Sequence, residues 1–348
     1  MTTLNQRQQQ AVRYIDGPSL VLAGAGSGKT SVITRKIAWL IADCGLRAAH
    51  IYAVTFTNKA AREMKERVAK LISKNQAQGL NISTFHTLGL SMIRRHHRQL
   101  GYKAGFSIFD SDDSIRVIKD CLLQQGDEQA DQAQLIQQLI SGWKKALTTP
   151  AEALSQANSV GEERAAKVYA HYQKLLRAYN AVDFDDLIAL PVQLLREHDD
   201  LLAFWHDRVR YLLVDEYQDT NGAQYELVKM LVGQRQALMV VGDDDQSIYS
   251  WRGANPENLA QLQVDFPALK VIKLEQNYRS TARILSAANQ VISYNPHVFD
   301  KQLWSDFGQG EPLRIIRCPN ESMELDRVVA EIVDRRLRQG LQWSDFCI

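Results

Sequence analysis

The segment LVLAGAGSGKT, residues 20–30, constrains the fold of this chain most strongly, because it joins an apolar run to a glycine-rich turn. Glycines let the backbone curl until its N–H groups face a polyphosphate, and the start of a following helix adds a positive dipole. A lysine then reaches the β- and γ-phosphates, and a threonine hydroxyl binds Mg²⁺. The segment therefore predicts a strand, a phosphate-binding loop and a helix. The residues predicted to hold ATP here are Ala25, Gly26, Ser27, Gly28, Lys29, Thr30 and Ser31.

A pair of carboxylates follows a second apolar run, in YLLVDEYQD at residues 211–219. Nucleotide hydrolysis needs a carboxylate at the end of a neighbouring strand to hold Mg²⁺, and a group that accepts a proton from the attacking water. We therefore predict that Asp215 binds Mg²⁺ together with Thr30, and that Glu216 is the general base. The long separation of Lys29 from Asp215 along the chain predicts an insertion between two parts of one nucleotide-binding sheet.

Short apolar runs alternate with helix-period stretches, which favours an α/β fold with a parallel sheet covered by helices on both faces. Residues 88–205 are helical in pattern and poor in strands, so we predict that the insertion is an all-helical subdomain. The predicted strands of the sheet lie within residues 19–26, 50–57, 80–87, 209–217, 237–244 and 269–276.

A new unit is predicted after about residue 280. TARILSAANQVI, residues 281–292, has a helical pattern, and PLRIIRC, residues 312–318, has the β-branched run of a strand. A second helix is predicted over residues 321–340, and WSDFCI, residues 343–348, resembles the start of another strand.

Charge and composition exclude several classes of protein. The 41 basic and 40 acidic residues give a formal net charge of +1, so a nucleic-acid site would be a local groove. The four cysteines are too far apart for a zinc site or a disulfide framework. The sequence contains no signal-peptide core and no run of the ~18 apolar residues that a membrane helix needs. We expect a soluble, cytoplasmic protein without a membrane partner.

Seven segments, in this order, resemble the motifs of one enzyme family: LNQRQQQAV (4–12), AGAGSGKT (23–30), AVTFTNKAAREMKERV (53–68), STFHTLG (83–89), LLVDEYQDTN (212–221), VVGDDDQSIYSWRGA (240–254) and LEQNYRS (274–280). The chain is similar to the UvrD/Rep/PcrA group of superfamily 1 DNA helicases over essentially its whole length. The resemblance implies ATP-driven 3′→5′ translocation on single-stranded DNA, with a 3′-tailed duplex as substrate, in DNA replication or repair. It also implies a RecA-like P-loop NTPase domain at 1–87 and 206–280, the helical insertion at 88–205, and the start of a second RecA-like domain at 281–348.

The resemblance implies a role for each matching residue. Gln8 would read the adenine edge, Tyr278 would stack on the base, and Arg279 would contact the γ-phosphate. Gln246 would sense the γ-phosphate and complete a catalytic set with Lys29, Asp215, Glu216 and Arg279. Aromatic stacking and phosphate contacts suit a motor that must hold every DNA sequence. The residues implied to meet the DNA strand are Phe56, Thr57, Asn58, His86, Tyr249, Trp251 and Arg252.

Three features leave alternatives open. The basic helix after Asn58 could strengthen the field around DNA or present its charges to water. The aspartates of AVDFDDLIAL, residues 181–190, could form a second acidic site or begin a helix whose dipole favours them. Ser31 stands where many relatives carry an arginine that contacts the nucleotide, so that contact is absent or supplied elsewhere.

The later motifs of the family lie beyond residue 348, so we expect an N-terminal piece that binds ATP, Mg²⁺ and single-stranded DNA but has lost unwinding. Two other functions stay open: a truncated module that binds DNA or a partner helicase without useful turnover, and a subunit of a helicase–nuclease. The candidate partners are single-stranded DNA, replisome or repair proteins, and a second copy of the chain. The expected location is the bacterial cytoplasm, in association with the nucleoid.

Overall fold

The computed structural model describes residues 4–124, 132–255, 257–295 and 297–348, apart from the side chains of Gln124 and Arg252. The strands are β1 Ser19–Ala23, β2 Ile51–Thr55, β3 Asn81–Thr84, β4 Ser107–Phe109, β5 Ala181–Asp183, β6 Tyr211–Val214, β7 Leu238–Gly242 and β8 Lys270–Leu274. The helices are α1 Gln6–Arg13, α2 Lys29–Ala42, α3 Asn58–Ala69, α4 Phe85–His96, α5 Ser111–Gln124, α6 Ala133–Lys145, α7 Pro150–Ser155, α8 Val160–Ala178, α9 Asp186–Glu197, α10 Asp199–Arg208, α11 Gly222–Val232, α12 Glu257–Asp265, α13 Ala282–Ile292 and α14 Glu321–Gln339.

The main sheet has six strands in the order β3-β2-β6-β7-β1-β8, and every pair of neighbours is parallel. All six predicted strands are therefore confirmed. Successive side chains of a strand point to opposite faces, so Leu20 and Leu22 of β1 enter one apolar core while Val21 and Ala23 enter the other. Because the strands are parallel, the loops after all six strands meet at one edge of the sheet.

The insertion between β3 and β6 forms an apolar core of its own, built mainly from α5, α6 and α8. Its described residues form helices and also β4 and β5, a parallel pair of three-residue strands that the prediction of an all-helical subdomain did not include. Strands this short show no periodicity in the sequence. The insertion is joined tightly to the sheet, because Ile188 and Val192 of α9 share one apolar core with Leu212 and Val214 of β6. Within the insertion, α9 packs against α4, where a side chain at Gly89 would come within 1.8 Å of the Leu187 carbonyl oxygen.

Beyond the sheet, α13 and α14 confirm the two helices predicted for the last unit. The two strands predicted there are wrong. Residues 312–318 form no strand, and Trp343–Asp345 form a turn of 3₁₀-helix. A strand needs a neighbouring strand for its backbone hydrogen bonds, and Ile315 is 92% exposed. In the described ranges, no helix combines the length and the apolar character that are needed to cross a bilayer.

Candidate functional site

The loop after β1 has the shape of an anion cradle. Gly26 and Gly28 have positive φ angles of 74° and 90°, in the left-handed region that glycine enters without strain. The N–H and the hydroxyl of Ser27 both donate to the Gly24 carbonyl, at 3.2 and 2.7 Å, and tighten the turn. Helix α2 begins at Lys29, directly after the loop, so its free N–H groups and dipole point at the same space.

This loop opens onto a cavity of about 670 Å³ at the carboxyl edge of the sheet. It brings together residues from the loops after β1, β6, β7 and β8, as the resemblance implied. The residues that line it are Ala25, Gly26, Gly28, Lys29, Thr30, Ser31, Arg67, Glu216, Gln246, Tyr278 and Arg279.

Three predicted catalytic side chains meet at the centre of this cavity. Lys29 Nζ lies 3.1 Å from Glu216 Oε2 and 3.4 Å from Gln246 Oε1. Glu216 has φ 50° and ψ 49°, a left-handed conformation that is costly for a non-glycine residue. The structure maintains this strain directly after β6, where it aims the carboxylate at the lysine.

Asp215 has the character of a cation ligand. It is buried, with 7% of the residue exposed, and its Oδ1 has no hydrogen-bond partner among the described residues. Burial and the neighbouring Glu216 raise the pKa of Asp215 to about 7. A divalent cation would supply the missing partner and the missing charge, so the residues present fit Mg²⁺. Thr30 lines the cavity from the start of α2, whereas Asp215 lies beside Glu216 and is not among the lining residues.

The base-binding residues predicted from the resemblance lie around the phosphate loop. Gln8 is buried, and its Nε2 donates to the Ser27 carbonyl at 2.9 Å. The Tyr278 hydroxyl accepts from Asn5 Nδ2 at 2.8 Å, and the Tyr278 N–H donates to the Gly26 carbonyl. The structure thus places Gln8 and Tyr278 against the loop, through the carbonyls of Ser27 and Gly26, and their contacts with adenine stay predictions.

Two buried amides that the motif analysis did not single out hold the site together. Gln218 Nε2 donates to Glu216 Oε2 at 2.9 Å, while Gln218 Oε1 accepts from the Asp243 N–H at 3.0 Å. Asn277 Nδ2 donates to the Ala25 carbonyl at 2.5 Å, and its Oδ1 accepts from the Arg279 N–H at 2.8 Å. Both residues lie inside the motif segments, Gln218 two residues after Glu216 and Asn277 directly before the tyrosine–arginine pair, and these positions were their signal in the sequence.

Arg67 is a further residue that the prediction missed. The basic residues of α3 are exposed while Met64 and Val68 are buried, so most of these charges face water. Arg67, near the end of α3, lines the same cavity as Ser31. The positive charge absent at residue 31 is therefore present in the cavity from another helix.

Aromatic rings gather on the same edge of the sheet, beside the nucleotide cavity. The rings of Phe56, after β2, and Tyr249, after β7, are stacked with centroids 5.1 Å apart and planes 23° from parallel. Trp251 lies 6.3 Å from Tyr249 between ring centroids and is 73% exposed. Thr57 caps α3 through the Ala60 N–H, and Asn58 is its exposed first residue. The predicted DNA contact of the Arg252 side chain lies outside the described residues.

His86 lines a second cavity of about 260 Å³, together with Phe56 and Lys145. Its ring meets the exposed ring of Phe184 edge to face, with centroids 6.1 Å apart. Burial, and to a smaller extent Lys145, lower the pKa of His86, which favours a neutral ring. Phe184 belongs to the insertion, where it lies between Asp183 and Asp185, and its contact with His86 was not predicted from the sequence.

Those acidic residues do not form a second acidic site. Asp183 and Asp186 both pair with Lys144, whose Nζ lies 2.6 and 2.8 Å from their oxygens in the buried core. The Tyr172 hydroxyl donates to Asp183 as well. Asp186 begins α9, as the helix-start alternative predicted, and the buried lysine is what the sequence did not reveal.

Sequence models of one helicase family match nearly the whole chain. The model of the UvrD/REP helicase N-terminal domain matches residues 4–267. The chain belongs to the UvrD/REP helicase family. The model of the UvrD-like helicase C-terminal domain matches residues 272–348, which include the last unit with α13 and α14. Family membership confirms the resemblance seen in the motifs and agrees with the parallel α/β architecture.

Individual members of this family are similar along the same length. The chain is 55% identical to the ATP-dependent DNA helicase Rep of Escherichia coli over 348 residues, which cover 99% of the chain and 51% of that protein. It is 54% identical to the ATP-dependent DNA helicase Rep of Salmonella typhimurium, with the same coverage. It is 42% identical to the ATP-dependent DNA helicase PcrA of Staphylococcus aureus, over 99% of the chain and 47% of that protein. The chain spans about half the length of these curated relatives, and the comparisons give no support to the expected loss of unwinding.

Proposed function

We propose that the chain is the ATP-binding part of an ATP-dependent DNA helicase that moves along single-stranded DNA. The observation that carries this proposal is the convergence of Lys29, Glu216 and Gln246 on one cavity beside the stacked rings of Phe56 and Tyr249. Both groups stand on the carboxyl edge of one parallel sheet, where ligands of such sheets bind. Membership of a helicase family supports the same reading.

The residues of the cavity divide the chemistry among them. When Lys29 turns to the β- and γ-phosphates of ATP, Glu216 leaves its ion pair and is free to accept a proton from the attacking water. Arg279 offers positive charge where negative charge develops in the transition state. Thr30 and Asp215 would hold Mg²⁺, whose chemistry is to neutralise charge on the phosphate oxygens.

The proposed DNA contacts do not depend on the base sequence of the DNA. Phe56, Tyr249 and Trp251 offer ring faces on which bases stack, and the start of α3 with Thr57 and Asn58 offers polar groups for phosphates. Gln246 and Tyr249 belong to the same short loop, so a movement of one at the γ-phosphate would move the other at the DNA. The 3′→5′ direction rests on the family resemblance alone.

Single-stranded DNA should stimulate ATP hydrolysis, and Glu216→Gln should abolish the stimulated turnover. General bases contribute about 10²–10⁴-fold, so we expect at least a ~100-fold loss with ATP binding retained. Turnover at the wild-type rate in Glu216→Gln would refute the proposed mechanism. Strand displacement on duplexes with a 3′ or a 5′ tail tests the direction, and a preference for the 5′ tail would refute 3′→5′ movement.

A further inference from the structure

The loop after β7 is held by a segment that is remote in the sequence. Residues 297–301, which follow α13, lie against the three consecutive aspartates of this loop. Lys301 Nζ contacts a carboxylate oxygen of each of Asp243, Asp244 and Asp245, with 2.9 Å to Asp245 Oδ2. The Lys301 side chain is only 6% exposed, so one ammonium pairs with three carboxylates at a site that water hardly reaches.

Further contacts bind the two segments together. The N–H groups of Val298 and Phe299 donate to Asp244 Oδ2 at 3.1 and 3.2 Å, and His297 Nδ1 lies 2.9 Å from Asp245 Oδ1. Burial disfavours the charged form of Asp244, but Lys301 and the two N–H groups more than offset it and lower the pKa of this carboxyl. Ligand atoms of Asp244, Asp245 and His297 lie within 4.8 Å of one another. The ammonium of Lys301 supplies positive charge to the two carboxylates of this group.

The same cluster orients Gln246. The carboxylate of Asp243 contacts Lys301 and also accepts a hydrogen bond from Gln246 Nε2. With its amide nitrogen held in this way, Gln246 presents Oε1 to Lys29 at 3.4 Å. An unbroken series of contacts therefore leads from Lys301 through Asp243 and Gln246 to the phosphate loop.

We propose that Lys301 is a positioning residue for ATP hydrolysis: by bridging the three aspartates it fixes the loop that aims Gln246 at the phosphate end of the cavity. The inference rests on the proposed function of that cavity as an ATP site. Without the ammonium, adjacent carboxylates would repel one another, and the side chain of Asp243 would no longer be held for Gln246. Lys301 is not among the residues that line the cavity, so it acts through its neighbours.

Kinetics of Lys301→Met test this role. Turnover stimulated by single-stranded DNA should fall at least ~10-fold in kcat, because a charge-assisted contact that orients Gln246 is lost. KM and the Kd of a fluorescent ATP analogue should stay within about 3-fold, because Lys301 does not line the cavity. Lys301→Arg should restore most of kcat. The matched control is Lys273→Met, because Lys273 Nζ donates to the Asp300 carbonyl of the same segment and contacts none of the three aspartates. This control should keep the wild-type kcat.

Coupling to Gln246 separates positioning from simple stabilisation. If Lys301 acts through Gln246, the double variant Lys301→Met/Gln246→Ala should turn over no more slowly than the slower single variant. Multiplied losses in the double variant, or an equal loss of kcat and of affinity for ATP in Lys301→Met, would overturn the proposal.

Hydrogen exchange gives a readout that does not depend on turnover. The N–H of Gln246 donates to the Asp243 carbonyl at 3.0 Å, and that of Ser247 to the Asp244 carbonyl at 3.3 Å. Lys301→Met should speed exchange of both amides at least ~10-fold and leave β6 unchanged. If the exchange of these two amides were unchanged in Lys301→Met, the positioning role would be refuted and the proposed function would stand. If the wild-type chain bound no ATP analogue, the proposed function would fall, and the positioning role with it.

Discussion

Replacing Lys144 with methionine should destabilise the helical insertion by about 3–5 kcal/mol, because it leaves two buried carboxylates without their counter-charge. Lys144 Nζ lies 2.6 Å from Asp183 Oδ2 and 2.8 Å from Asp186 Oδ1, and the lysine side chain is 1% exposed. Burial opposes the charge on Lys144, but the two aspartates more than offset it and raise the pKa of the ammonium. The triad joins α6 to the turn between β5 and α9, which carries Phe184 to its ring contact with His86.

Urea denaturation followed by circular dichroism measures this loss. Trp143 in the same helix stacks on Tyr169 with ring centroids 5.9 Å apart, so its fluorescence, read in a background where the other tryptophans are replaced by phenylalanine, reports whether the insertion unfolds first. The matched control is Lys167→Met, because Lys167 forms an ion pair with Glu163 at 2.6 Å but is 59% exposed. The control should leave the free energy of unfolding nearly unchanged. A loss of less than about 1 kcal/mol in Lys144→Met would refute the argument from buried charge.

Three further predictions concern single side chains. Burial lowers the pKa of Lys36 to about 8 from its ordinary 10.5. Between these two pH values the folded chain therefore binds fewer protons than the unfolded chain, and its stability should increase as pH rises. The difference in thermal stability between Lys36→Met and wild type should therefore change steadily from pH 8 to 10, and a constant difference would contradict this. Phe56→Ala should weaken binding of dT and dA oligonucleotides alike, by about 1–3 kcal/mol, and a changed salt dependence would instead indicate a lost phosphate contact. Gln8→Ala should weaken ATP binding about 10-fold, in line with one or two lost hydrogen bonds, and leave GTP binding unchanged; equal losses would show that Gln8 only supports the phosphate loop.

The parts of the site that the sequence predicted are those set by short-range rules. The phosphate loop needs glycines at particular left-handed positions, and a helix must begin directly after it, so residues 23–30 specify their own conformation. The same holds for β1, β2, β6 and β7, because strands buried on both faces are continuous apolar runs, whereas the edge strands β3 and β8 alternate between fully and less buried positions. Their shared direction then places the loops that follow them at one edge, which is why the predicted catalytic residues meet.

The parts that could not be predicted depend on residues far apart in the sequence. Three consecutive aspartates have no evident purpose until Lys301 is seen among them, and no local pattern links the two segments. The sequence pattern around Lys144 likewise indicates only an amphipathic helix, although the lysine is buried against Asp183 and Asp186. The strand predicted over residues 312–318 failed for a related reason, since strand propensity alone cannot supply a pairing neighbour.

Binding of a non-hydrolysable ATP analogue with Mg²⁺ tests the central claim most directly. Titration calorimetry should show one saturable site in the wild-type chain, weakened about 10-fold or more in Lys29→Met, because a charge-assisted hydrogen bond contributes about 1.5–3 kcal/mol. Removal of Mg²⁺ with a chelator should also weaken binding. Lys59→Met, an exposed lysine of α3 outside the cavity, should bind as wild type does. Equal affinity in Lys29→Met and wild type would contradict the assignment of this cavity as the nucleotide site.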